Sequence, residues 1–416
     1  MIFQYIFIIL CCTFIITLAV IKIKYPFWNN QPVFHTYDYI RARYKQPFIV
    51  HSNGPSKTKF LDQTHIKTKT ITDDADPIIG TITDLLQCHY VANETIDHII
   101  KSPDIYAVLS GQSEPSFVST YTIPEYVLKQ NDSKDGVELE NKQKTLGCVT
   151  SRCASMYVRP TKTETVYKGN YIYFIDYLCT HREHDSKKIS RNLIQTHEYN
   201  QRMINKNIHI SLLKKEGELF TGIRPIVTYN THYYALSNLQ IPRMKSSYTV
   251  ELLKSGSMDS YLDYFIINGG FEQKTAMYDL LVLPDIGNVM SQIKQKLLFI
   301  ACLRNGPDIL GFYFIKDIKR HYDDAESHTL SVVGSVQNCK DNRLFYTGFM
   351  HALRLVIHTN PDYKMLTIEN IGHNQTLTSY WVAKNAPKTI TNTAYYSYNY
   401  VYPCSPFDAY RCLILL

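Results

Sequence analysis

The sequence predicts an α/β protein in two halves, each a mixed sheet carrying helices, behind a single apolar N-terminal helix. Three observations lead there. Runs of β-branched and aromatic residues such as Tyr171 to Cys179 alternate with stretches whose apolar residues recur at helical spacing. A strand, strand, helix, strand series spans residues 146 to 213, and a comparable series follows Pro242, with no strict sequence repeat between them. The 416 residues, 45% hydrophobic and only 19% charged, are enough for one large core or two ordinary ones.

The first element is residues 1–22. Met1 to Ile21 carries no charged residue, and a helix of that length spans roughly 30 Å of hydrocarbon, so a single-pass membrane anchor is expected. A cleaved signal peptide is the competing reading. It lacks a basic residue ahead of the apolar run and a small-x-small site behind it. Lys22, Lys24, Arg41, Arg43 and Lys45 follow the run, and the positive-inside rule then puts the main domain in the cytosol. The ten cysteines agree as reduced thiols; they show no close metal-ligand spacing, so no metal is expected. Asn93, Asn131 and Asn374 sit in glycosylation patterns that would matter only in a lumenal domain.

Lys24 to Tyr39 is aromatic enough to pack on the folded domain, and His51 to Thr72 reads as a loop. Asp76 and Pro77 open a helix to about Val91, with Ile78, Ile79, Ile82, Leu85 and Leu86 on one face. A short helix from Pro124 and a polar loop from Asn131 to Lys144 come next. Strands at Leu146 to Val158 and Tyr171 to Cys179, turning near Pro160 and Gly169, lead to a helix from Ser190 and a strand at Ile208 to Leu213. In the second half, helices are expected near Met277 to Leu281, Ile286 to Lys296 and Phe345 to His358. Strands are expected at Leu297 to Leu303, Ile309 to Ile315, Met365 to Ile368 and Cys412 to Leu416.

The chemistry concentrates between Tyr171 and Ile194, where a strand passes through a basic turn into a helix. Arg182, Lys187, Lys188 and Arg191 with Ser186 and Ser190 stand where the first N–H groups of a helix lack partners, an anion site suited to a pyrophosphate. A solvated turn with surface lysines is the plainer reading. The net charge of +7 is modest and scattered, which argues against nucleic acid as a partner. His197-Glu198 has no second His four residues on, and neither G-x-S-x-G nor G-x-x-x-x-G-K-[ST] occurs. Cys179 is either a nucleophile or, as is commoner on a buried strand, core. Acyl transfer at such a corner needs backbone donors for an oxyanion and a base for the attacking amine, and no covalent intermediate.

Phe174 to Ile194, "FIDYLCTHREHDSKKISRNLI", resembles the segment of glycylpeptide N-myristoyltransferases in which a strand enters the phosphate-binding turn. "KYPFWNNQPV" from Lys24 is similar to that family's N-terminal signature. "TDLLQCHYV", "YTIPEYVL", "LGCVTS", "FTGIRP", "GFYFI", "IENIGHNQT" and "YYSYNYVYP" match in order. The resemblance implies two lobes of acyl-CoA N-acyltransferase (GNAT-like) fold, 23–241 for acyl-CoA and 242–416 for peptide. It implies myristoyl-CoA or another acyl-CoA as co-substrate and a glycine-starting protein or peptide as acceptor. By the same resemblance Ser186, Lys187, Lys188 and Ser190 would hold the CoA phosphates, and Phe27 and Trp28 would line the CoA. The N–H groups of Tyr177 and Leu178 would form the oxyanion hole. The terminal carboxylate of Leu416, with a reference pKa of about 3.3 to 3.7, would be the base, and Thr221 would help to hold the amine. The chain departs from the pattern at Asp185, where the family has Arg, and at Arg191, where it has Pro. It departs again at Ala235 for His, Gly311 for Ser, Gly334 for Tyr and Asn370 for Asp, and in a tail about one residue longer. The expectation is a membrane-anchored N-acyltransferase; the alternative is a non-catalytic relative with a structural or interaction role, of the kind a large DNA virus would encode.

Overall fold

A computed structural model of the chain describes residues 2–72, 76–90, 96–130, 137–159, 168–236, 239–262, 264–265, 277–322 and 327–416. Val91, Asn93, Asn131 and Pro160 lie outside these. The helices are α1 (Ile2–Lys24), α2 (Pro77–His89), α3 (Ser102–Leu109), α4 (Ser186–Ile204), α5 (Asp259–Leu262), α6 (Ile286–Lys294), α7 (Asn342–Ile357) and α8 (Asn374–Val382). The strands of the first half are β1 (Phe48–Ile49), β2 (Ile66–Ile71), β3 (Ile96–His98), β4 (Ser116–Gln130), β5 (Val137–Val158), β6 (Lys168–Thr180), β7 (Ile210–Glu216) and β8 (Val227–Ala235). Those of the second are β9 (Tyr248–Leu252), β10 (Leu280–Pro284), β11 (Leu298–Asn305), β12 (Asp308–Tyr322), β13 (His328–Gln337), β14 (Tyr363–Glu369), β15 (Thr389–Tyr398), β16 (Tyr400–Val401) and β17 (Cys412–Ile414).

Local sequence accounts for most of these. Asp76 accepts a hydrogen bond from Ile78 N at 3.0 Å, Pro77 opens the first turn, and Ile79, Ile82, Leu85 and Leu86 are buried, so α2 forms where capping and periodicity place it. Helices α6 and α7 and strands β11, β12 and β14 also stand where their periodicity puts them.

Four expectations are corrected. The stretch from Pro124 is strand, not helix: Pro124 faces Gln143 of β5, and β2 stops pairing at Tyr121, so the proline lies on a free edge that needs no N–H. The expected loop to Lys144 is strand from Val137; Asn141, Lys142 and Gln143 are exposed, which is why a paired strand reads as a polar loop. The loop expected over His51 to Thr72 contains strand β2. The helix near Met277 to Leu281 is replaced from Leu280 by β10, whose five residues are all buried between β5 and β17. A strand paired on both sides shows a continuous apolar run that periodicity cannot tell from a helix.

Two units share one plan. In the first, β5 and β6 form an antiparallel pair, α4 follows, and β7 returns parallel to β6; in the second, β12, β13, α7 and β14 repeat the order. Both parallel pairs are short, Ile172–Ile175 with Ile210–Leu213 and His328–Val332 with Tyr363–Ile368, and beyond them the strands part. A bulge lies at each parting, near Tyr177 in β6 and between Val332 and Gly334 in β13. All strands but β1 and β16 join one sheet, with the path β17-β10-β5-β6-β7-β15-β8-β14-β13-β12-β11-β9. Residues from both sides of position 242 therefore contribute neighbouring strands.

The segment after α1 packs on this sheet as its aromatic content suggests. Phe27, Val33 and Phe34 are buried, Val33 bridges to Tyr398, and the Tyr398 hydroxyl donates to Gln31 Oε1 at 2.6 Å. α1 itself is apolar and unburied, and among the described residues it alone is long and apolar enough to cross a membrane.

Candidate functional site

The corner between β6 and α4 is built by the residue that looked most out of place. Asp185 accepts from Lys188 N at 3.0 Å as the N-cap of α4, so the helix starts at Ser186 and not at Ser190. The carboxylate complements the helix dipole and satisfies one first-turn amide, the same amides an anion would use. Ser186, Lys187 and Lys188 are exposed at this end, and Ser186 Oγ lies 2.6 Å from Thr180 Oγ1. Ser190, half-buried, donates to the Lys187 carbonyl at 3.3 Å.

One aromatic wall adjoins the corner. Phe27 packs edge-on against Trp28 at 4.8 Å and Phe60 at 5.1 Å; Trp28 meets Phe220 at 4.9 Å, and Phe220 meets Tyr396 at 5.1 Å. Leu178 and the α4 residues Ile189, Leu193 and Ile194 belong to the same apolar cluster. The fold thus gathers Phe27, Trp28, Leu178 and the start of α4. Phe27 is buried within the wall and Trp28 is half-buried. Thr221 is exposed between Phe220 and Gly222. Gly222, at φ +85°, leaves room for the Tyr25 ring where a Cβ would come within 2.6 Å.

Tyr177 has φ 45°, a left-handed conformation in an aromatic residue, at the point where β7 ceases to pair with β6. Its N–H donates to the Asp176 carboxylate at 2.9 Å. Cys179, beside it, is buried; its thiol contacts the Leu85 carbonyl at 3.7 Å, and burial pushes it up to about 12. That is core chemistry, not a thiolate nucleophile.

A group of charged residues that the sequence reading did not single out gathers between the two units. Lys214 Nζ pairs with Glu369 at 2.6 Å, Tyr229 donates to the same carboxylate, and Arg320 and Tyr233 both meet Glu216. Arg152, 1% exposed, donates to Asn288 Oδ1 at 3.1 Å and lies 5.3 Å from the Phe174 ring centre. Asn288 in turn donates to the Val108 and Ser110 carbonyls, each at 2.8 Å, tying α6 to α3. Lys316 makes no ion pair among the described residues. Burial first, then Arg152 and Lys214, bring it down to about 7 against the pull of Asp176 and Glu369. The signal was present as Arg152 inside "LGCVTSRCASMYV" and as Lys316 and Arg320 in "GFYFIKDIKR", charges on otherwise apolar strands.

Leu416 is buried in the cluster that holds Phe174, Tyr229 and Tyr395, while Phe220, next to Thr221, belongs to the Trp28 cluster. Leu415 N donates to the Val282 carbonyl at 2.9 Å, and its side chain occupies the space above Gly334, where a Cβ would come within 2.6 Å of Leu415 Cδ2. A tyrosine at 334 and this tail cannot coexist unshifted. Gly311 is equally confined, with the Val336 carbonyl and the Phe345 ring at 2.8 Å from a Cβ. Ala235 is exposed at the end of β8, and Asn370 donates its N–H to the Asn230 carbonyl at 2.8 Å. Asn374, in a glycosylation pattern, is buried and donates to the Val332 and Glu369 carbonyls, so it is core.

No protein-family model and no curated protein matches the sequence. Solved structures do. The fold is similar to that of Saccharomyces cerevisiae N-myristoyltransferase with bound myristoyl-CoA, at a TM-score of 0.64 and 12% identity over 90% of this chain and 92% of that one. A second structure of that protein, with myristoyl-CoA and inhibitors, gives 0.65 and 12% over 92% of each chain. A tandem GNAT protein from the clavulanic acid biosynthesis pathway is similar at 0.50 and 8% identity, over 82% of this chain and all of that one. At such identities the likeness is one of fold. The expected mixed α/β, GNAT-like architecture is the observed one.

Proposed function

We propose that this chain is an N-myristoyltransferase-like acyltransferase, moving a fatty acyl group from acyl-CoA to the N-terminal glycine amine of a protein or peptide at a membrane surface. The observation that carries the reading is the parted strand pair of the first unit. It leaves the backbone around Tyr177 and Leu178 without β7 as a partner, next to the α4 corner and the Trp28 wall. In this reading Ser186, Lys187, Lys188 and Ser190 hold the phosphates of myristoyl-CoA or another acyl-CoA, Phe27 and Trp28 line it, and residues 23–241 form its lobe. The N–H groups of Tyr177 and Leu178 polarise the thioester carbonyl. The glycine amine, steadied by Thr221 with the peptide held by residues 242–416, attacks that carbon. The C–S bond breaks, CoA leaves as thiolate, and the amine proton passes to the Leu416 carboxylate. Residues 1–22 anchor the chain as a single span with its domain cytosolic, beside the bilayer into which an acylated product partitions.

A second reading, a non-catalytic relative with an interaction role, draws on one observation: the Tyr177 N–H is already held by the Asp176 carboxylate, an anion where an oxyanion would form. Acyl transfer by the full chain to glycine-starting peptides, with Leu416 deleted or the tail extended in parallel, separates the two. Transfer that disappears in both tail variants while acyl-CoA binding persists supports the enzyme. A full chain that binds acyl-CoA but acylates no peptide supports the second reading.

A further inference from the structure

Immediately after α1 the chain makes a short turn that exposes its apolar residues. Tyr39 is 72% exposed, Ile40 74% and Tyr44 51%, within six residues of one another. They flank the 3-10 turn Arg41–Arg43, which Asp38 pins by accepting from Arg41 N at 3.0 Å and pairing with the Arg41 side chain at 3.2 Å. That pair neutralises Arg41 and leaves Arg43 and Lys45 exposed beside the apolar side chains.

The turn is fixed close to the end of the apolar helix. Tyr25 N still donates to the Ile21 carbonyl, so the helical bonding of α1 reaches Tyr25, and the Tyr25 ring stacks on Tyr37 with centres 5.9 Å apart. Three residues, at most about 11 Å of chain, separate Tyr37 from Ile40. The end of α1 adds Lys22 and Lys24. Aromatic side chains interleaved with cations that make no ion pair among the described residues, held at the end of a membrane-length apolar helix, match the headgroup layer of an anionic bilayer in polarity, charge and depth.

We infer that Tyr39, Ile40 and Tyr44 insert at the membrane interface while Arg43 and Lys45 engage anionic phospholipid headgroups, a second contact that sets the domain's orientation on the bilayer. The inference rests on the proposed anchoring by residues 1–22 and is independent of acyl transfer. One contact at the end of a helix leaves the domain free to swivel; a second beside it does not. Because His35 bridges to Ile223 and Thr36 N donates to the Gly222 carbonyl, the turn is tied to the strip carrying Phe220 and Thr221. The membrane contact would thus hold that strip in a fixed direction.

The test is hydrogen exchange of residues 38–46 in the full chain reconstituted into phosphatidylcholine bilayers, into bilayers containing phosphatidylserine, and into detergent. Flotation reports incorporation, and exchange of residues 146–158 reports folding. The expected result is protection of 38–46 that is strongest with phosphatidylserine. It falls on the order of fivefold for each cation removed in Arg43→Gln and Lys45→Gln, and is lost in Tyr39→Ser/Ile40→Ser/Tyr44→Ser. Incorporation with equal exchange in all three environments would overturn the inference while leaving the anchor standing; failure to float would overturn the anchor and the inference with it.

Discussion

At the scale of single residues, the centre of the molecule is defined by charges whose environment changes what they can do. Lys316 is the clearest. Burial holds its ammonium down to about 7, below the ordinary lysine value of 10.5, so between those values the folded chain holds fewer protons than the unfolded chain. Stability therefore rises with pH across that window; as pH falls it is lost progressively from about 10.5 down to about 7, below which the folded chain carries a half-buried ammonium. Lys316→Met removes the penalty. Its thermal midpoint should exceed that of the parent at pH 6, by the equivalent of about 2 kcal/mol after allowance for its partial access to solvent, and the gain should shrink towards pH 10. Thermal unfolding of both proteins across this range checks it; an equal gain at every pH would show that Lys316 is not charged against its surroundings. Asp176 is a second such residue. Because it holds the Tyr177 N–H, any ligand oxygen that is to use that donor must first displace a carboxylate.

At the scale of elements, helix α4 joins stability to binding through its cap. Asp185→Ala removes the bond to Lys188 N and should cost about 1 kcal/mol in chemical denaturation. The same change removes an anion from the corner and frees an amide, so binding of CoA should tighten about two- to threefold at low ionic strength and less at high salt. Weaker binding in the variant would mean that the cap, by fixing the helix start, matters more than its charge. Much of the element plan was legible because periodicity, capping and turn chemistry agree locally, as at Asp76-Pro77 and in α6 and α7. The failures share a cause: β10 is flanked by strands from residues 146–158 and 412–414, and the Pro124 stretch is held by a long hairpin, so their conformation is imposed by distant partners. The strand-to-helix turn stands where the sequence places it, but the helix starts at Ser186 and not at Ser190, because Asp185 reads in sequence as a departure from the basic pattern and acts in the fold as a cap.

At the scale of the whole molecule, the two units offer two partings of parallel strands, and the chain closes one of them itself. In the second unit Leu415 lies against Gly334 at the β13 bulge, and further along the strand His373 Nδ1 accepts from Gln337 N at 3.1 Å. In the first unit the parting lies beside the α4 corner and the Trp28 wall, which is why we propose that acyl-CoA binds there. The sequence shows Gly334 and the longer tail as two separate departures, but not that they meet, since Gly334 and Leu415 are 81 positions apart. The measurement that tests the assignment most directly is the thermal shift of the full chain with myristoyl-CoA against free CoA. A ligand present at a hundredfold its Kd stabilises the folded state by about 2.7 kcal/mol. The account predicts a clear upward shift with myristoyl-CoA, larger than with CoA, and a larger one again in Asp185→Ala relative to that variant's own unliganded midpoint. No shift with either ligand, in the parent or in the variant, would contradict it.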